Sequence, residues 1–103
     1  MSKIFKVLVV DDEIEHRETM RMILESKGYM VGEASSGGEA LDLLDEEFYP
    51  LVLCDYIMPG IDGLEVLKRI KKQYGDSIEV IIITGYGDVE SAVEAMKLGA
   101  FGY

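Results

Sequence analysis

Short runs of almost wholly apolar, mostly β-branched residues punctuate this chain at Ile4 to Val10, Leu51 to Cys54 and Glu79 to Ile83. A strand with one wet face shows a polar residue at every second position. These runs do not alternate, so they fit strands covered on both faces, as in a parallel sheet flanked by helices. The segments between them carry the crossovers that parallel strands require. From Asp12 to Lys27 the period is helical, with Thr19, Met20, Ile23 and Leu24 on one stripe, Glu15, Glu18 and Arg21 off it, and Gly28 as the C-cap. Met30 to Ala34 reads as a weaker strand and Ser35 to Gly38 as a loop. Leu41, Leu44 and Phe48 mark the buried side of a second helix, closed by Pro50. The turn formers Pro59-Gly60 and Asp62-Gly63 precede a helix from about Leu64 to Tyr74, with Leu67, Ile70 and Tyr74 inward. Asp88 is placed as the N-cap of a helix over Val89 to Leu98, and Phe101 to Tyr103 begin a fifth strand that is cut short.

This succession predicts an α/β fold: a doubly wound parallel sheet of order 2-1-3-4-5, with the final helix absent and crossovers of right hand. A length of 103 residues accommodates a single domain over residues 1–103. In such sheets the ligand lies outside the carboxyl ends of the strands, between strands 1 and 3. Asp11 and Asp12 end strand 1, Asp55 ends strand 3 and Thr84 follows strand 4. Carboxylates held this close raise one another's pKa unless a cation neutralises them, and an all-oxygen cluster suits a hard ion such as Mg²⁺. With the charge screened, a carboxylate in line with an incoming phosphorus could attack it, and Asp55 is the best placed nucleophile.

The segments Val9 to Glu13, Asp55 to Gly63, Ile83 to Gly87 and Lys97 to Ala100 together make the whole chain similar to the receiver domains of two-component response regulators. Within them, Thr84 to Ala100 most resembles receivers of nitrogen-regulation-class transcription activators. The resemblance implies that Asp55 accepts a phosphoryl group from a sensor histidine kinase. Asp12 would ligate Mg²⁺ directly, Asp11 largely through water, and the carbonyl of Ile57 would complete the protein ligands. Thr84 would hydrogen-bond the phosphoryl group and move toward it, and Tyr103 would be the aromatic that turns inward behind it. Gly85 leaves the phosphorus open to a partner or to water. An output domain or downstream effector would lie outside this stretch. A lysine and the last helix of the family fall beyond Tyr103, so exposed strand surface and self-association are expected of this stretch alone.

Other residues are read more plainly. Cys54 is an inert core thiol, and with one cysteine no internal disulfide forms. His16 is a packing or surface residue and not a phosphorelay histidine. Met20, Met22, Met58 and Met96 fill core or loop. Gly85 to Glu90 carries part of a dinucleotide fingerprint, but Glu90 stands where the third glycine belongs. Lys68, Arg69, Lys71 and Lys72 form a solvated basic face. Ten Lys and Arg against 20 Asp and Glu give a net charge of −10, which argues against direct contact with nucleic acid or anionic lipid. No apolar run approaches the roughly 18 residues of a membrane span, and a cytoplasmic location is expected. The expected activity is that of a switch, not a metabolic enzyme. The alternatives are a degenerate receiver that only binds or dimerises, and a Mg²⁺-dependent phosphohydrolase. The latter would want a second acid where Ile57 sits.

Overall fold

The computed structural model describes residues 5–83. Within them lie β1 (Lys6–Val10), α1 (Ile14–Ser26), β2 (Met30–Ala34), α2 (Gly37–Glu46), β3 (Leu51–Asp55), α3 (Gly63–Tyr74) and β4 (Glu79–Ile83), with a 3₁₀ turn at Gly75–Ser77 between the last two. All four strands are parallel, in the order β2-β1-β3-β4. The expected helix at Val89 to Leu98 and strand at Phe101 to Tyr103 lie outside the described residues, as do Thr84 and Gly85.

β1 and β3 occupy the middle of the sheet, where the apolar runs belong. Val7, Leu8, Val9 and Val10 are fully buried. Leu8 and Val10 join Val52, Cys54, Val80 and Ile82 in a core that α2 and α3 cover with Ala40, Leu44, Val66, Leu67 and Ile70. Val7 and Val9 point to the opposite face, where α1 packs.

The helix boundaries follow their caps. α1 starts at Ile14, two residues later than the periodicity suggests, and Gly28 ends it with φ +92°, its N–H donating to the Glu25 carbonyl at 3.0 Å. α2 begins inside the expected loop because Ser36 caps it. The Ser36 hydroxyl accepts from the Glu39 N–H at 3.1 Å, while the Glu39 carboxylate accepts from the Ser35 N–H at 3.1 Å. Gly37 is therefore helical, and it is buried where a side chain would collide with Ile61 and Val66.

Two packing expectations are corrected. Phe48 is 56% exposed and Tyr49 is buried in its place. α2 ends at Glu46 and Glu47 is already extended, so the helical spacing Leu41, Leu44, Phe48 no longer applies at its third member. The Tyr49 ring instead lies against Gly32 of β2, with the Lys6 ammonium 4.9 Å from its centroid.

The second correction concerns α1, which has no buried residue. Its inward stripe is Arg17, Met20, Arg21 and Leu24, all half-buried, while Thr19 and Ile23 are exposed. Both arginines reach Glu33 on β2, so their aliphatic stems lie inward with the charges paired. Hydrophobicity alone picks the neighbouring Thr19 and Ile23 because it assumes that cations face water.

Candidate functional site

The carboxyl ends of β1 and β3 lie side by side, with Val10 in register with Cys54. The next residues, Asp11, Asp12 and Asp55, bring one carboxylate oxygen each within 4.8 Å of one another. Asp11 is 4% exposed and is the buried charged residue among those described, whereas Asp12 is exposed and Asp55 half-buried.

Asp11 is held from several sides. Its N–H donates to the Ala34 carbonyl at 3.1 Å, continuing the β1–β2 ladder past the strand end. Its Oδ1 accepts from the Glu13 N–H at 2.9 Å, a local turn that starts the approach to α1. Its carbonyl accepts from Arg17 Nη1 at 2.8 Å. His16 is exposed and sets its Nδ1 3.4 Å from Asp11 Oδ2 and its Nε2 3.3 Å from Glu13 Oε2.

Asp55 is fixed through the loop behind it. The Tyr56 N–H donates to the Ile83 carbonyl at 3.2 Å, tying the end of β3 to β4, and the Gly63 N–H donates to the Tyr56 carbonyl at 2.8 Å. Gly63 is needed for that closure, because a Cβ there would stand 2.5 Å from the Asp55 carbonyl oxygen. Asp62 then caps α3 by accepting from the Glu65 N–H at 2.9 Å. Ile57 lies in this loop with its side chain 55% exposed, and Met58 turns back into the core.

Burial, and then the Asp11 and Asp12 carboxylates, push the Asp55 carboxyl above the usual carboxylate range, with the backbone N–H groups of Tyr56 and Ile57 pulling partly the other way. Among the described residues no lysine or arginine side chain ion-pairs with Asp12 or Asp55. The concentration of negative charge and the all-oxygen donor set fit a hard divalent cation. Cys54, one residue before Asp55, is buried and has its thiol pushed up to about 12 by burial and then by the charges of Asp55, Asp11 and Asp62, as suits an inert core residue.

The structure thus brings together Asp11, Asp12 and Asp55, with Ile57 two residues along the same loop. Thr84 and Tyr103 lie outside the described residues. Sequence reasoning missed Arg17 and Glu33. The available signal was an arginine three and seven positions before Met20 and Leu24, on the helix face those residues define.

A parallel doubly wound sheet with an acidic cluster at the crossing of strands 1 and 3 defines a class of α/β proteins that receive a charged ligand at that edge. The sequence matches the response regulator receiver domain over residues 7–103, and the chain belongs to that family. It is 45% identical over 97 residues to transcriptional regulatory protein ZraR of Escherichia coli K12, covering 94% of this chain and 22% of that protein. It is 40% identical over 95 residues to sporulation initiation phosphotransferase F of Bacillus subtilis, covering 92% of this chain and 76% of that protein. The fold is similar to the CheY-like receiver domain protein of Methanospirillum hungatei, with a TM-score of 0.92, 33% identity, and coverage of 98% of this chain and 80% of that one. The chain therefore spans less than a quarter of the ZraR relatives it matches. No helix among the described residues is long and apolar enough to cross a membrane.

Proposed function

We propose that Asp55 is the phosphoacceptor of a signalling switch, taking a phosphoryl group from a phosphohistidine of a sensor histidine kinase. The observation that carries this is the convergence of Asp11, Asp12 and Asp55 within 4.8 Å at the carboxyl edge, with Asp55 the half-buried member at the end of β3. Asp11, Asp12, Asp55 and the Ile57 carbonyl would hold Mg²⁺, which would neutralise the cluster and the incoming phosphoryl oxygens. An Asp55 carboxylate oxygen attacks phosphorus, the bond from phosphorus to the imidazole nitrogen breaks, and the imidazole leaves with that electron pair. Thr84 would hydrogen-bond the phosphoryl group and Tyr103 would follow it inward, roles that rest on the family resemblance. In a longer protein, the changed surface would act on an output domain. Self-association finds support in β2, an edge strand of the described sheet that exposes Met30.

Incubation with Mg²⁺ and acetyl phosphate, followed by intact mass, tests the reading. One added phosphoryl group, absent without the cation, is the expected result. Mg²⁺ binding without labelling would favour the degenerate receiver, and multiple turnover of a generic phosphate ester would favour the hydrolase.

A further inference from the structure

Arg17 projects from the first turns of α1 to two acceptors at once. Its Nη1 donates to the Asp11 carbonyl at 2.8 Å and its Nε to Glu33 Oε1 at 3.2 Å. The side chain is 14% exposed, and Glu33 is 23% exposed. The other Glu33 oxygen takes Arg21, which also lies 3.8 Å from Glu25. Glu33 is thereby fixed on both sides, and one guanidinium runs from a strand of the sheet to the residue that begins the acidic site.

We propose that Arg17 is a positioning residue for the acidic cluster: anchored on Glu33, it fixes the Asp11 carbonyl and so the direction in which the Asp11 and Asp12 carboxylates leave the end of β1. This rests on the reading of that cluster as a cation site.

Three features of the contact argue for positioning over simple charge balance. The donated bond goes to the backbone carbonyl and so occupies no carboxylate oxygen of Asp11 or Asp12. Asp11 is already held at its N–H by Ala34 and at Oδ1 by Glu13, so the carbonyl bond fixes its remaining backbone polar group. The planar guanidinium presents separate donors in fixed directions, which lets it join Glu33 to Asp11, whereas an ammonium is a point charge on a flexible stem.

The test is a Mg²⁺ titration of the unaltered chain, Arg17→Ala, Arg17→Lys and Arg21→Ala, followed by the backbone amide shifts of Asp12 and Asp55, with thermal melts of the cation-free proteins alongside. Arg21 shares Glu33 with Arg17 but makes no contact with Asp11, so its variant reports the loss of the ion-pair network alone. Arg17→Ala should weaken Mg²⁺ binding about tenfold, the lower end of what removing an outer partner of a metal ligand does. Arg17→Lys should fall between, and Arg21→Ala should bind as the unaltered chain does even where its melt drops. Equal Mg²⁺ affinity in Arg17→Ala and the unaltered chain would overturn the proposal, as would an equal loss in Arg21→Ala. If Arg17→Ala does not fold, equal binding by Arg17→Lys and Arg21→Ala would overturn it. Absence of Mg²⁺ binding by the unaltered chain would instead defeat the cation-site reading, and the proposal with it.

Discussion

The two faces of the sheet are built from different material. On one, α2 and α3 press Ala40, Leu44, Val66, Leu67 and Ile70 onto Leu8, Val10, Val52 and Ile82, all buried. On the other, α1 has no buried residue and meets the sheet through a stripe of two arginines, a methionine and a leucine. The apolar face carries the stability that close packing supplies. The charged face holds up the end of β1 where Asp11 and Asp12 leave the sheet. The helices with the buried apolar side chains and the helix that anchors Asp11 thus lie on opposite sides of the same strands.

The sharpest way to break this comparison is to truncate matched residues on the two faces. Leu67→Ala should cost about 2–5 kcal/mol in urea unfolding, because the side chain is fully buried among other apolar groups. Leu24→Ala on α1, half-buried in the stripe that meets the sheet, should cost about 1 kcal/mol. Comparable losses would erase the distinction.

Gly63→Ala comes next, since its Cβ would press on the Asp55 carbonyl and the backbone of Tyr56. A cost of about 1–3 kcal/mol is expected, accompanied by weaker Mg²⁺ binding as the β3 end shifts. Stability lost with Mg²⁺ affinity unchanged would show that this loop closure does not set the site.

A smaller effect depends on pH. Burial and the neighbouring Asp11 and Asp12 raise the Asp55 carboxyl in the folded state. Such a group favours the fold below the ordinary carboxylate range, and that contribution is lost as pH rises through the raised value. Asp55→Asn should therefore melt above the unaltered protein at pH 7 without divalent ions, and the difference should close on acidification. A gap that widens as pH falls would contradict the charge-crowding account. Smallest of all, Asp45→Ala removes an exposed hydrogen bond of 2.9 Å from the Tyr74 hydroxyl and should change stability by about 0.5 kcal/mol or less.

The strands and the acidic edge were legible because their signals are strong and local. Uninterrupted runs such as Val7 to Val10 mark buried parallel strands, and the acids that stop them fall at the end where ligands bind. Less legible were features decided by another segment. Arg17 shares the helical spacing of Met20 and Leu24, but its reason to face inward is Glu33 on β2, which the periodicity of α1 does not show. Phe48 and Tyr49 exchange places because α2 ends at Glu46, and Tyr49 has room because residue 32 is glycine. Gly37 enters a helix instead of a loop through the paired caps of Ser36 and Glu39. Similarity to the receiver family supplied roles for the acids but none for Arg17.

The most direct test of the account is where a phosphoryl group lands. After reaction with acetyl phosphate and Mg²⁺, borohydride reduction followed by peptide mapping should mark Asp55 alone, require the divalent ion, and give nothing in Asp55→Asn. Modification at Asp11 or Asp12, or labelling that persists in Asp55→Asn, would contradict the assignment of the half-buried β3 aspartate as the acceptor.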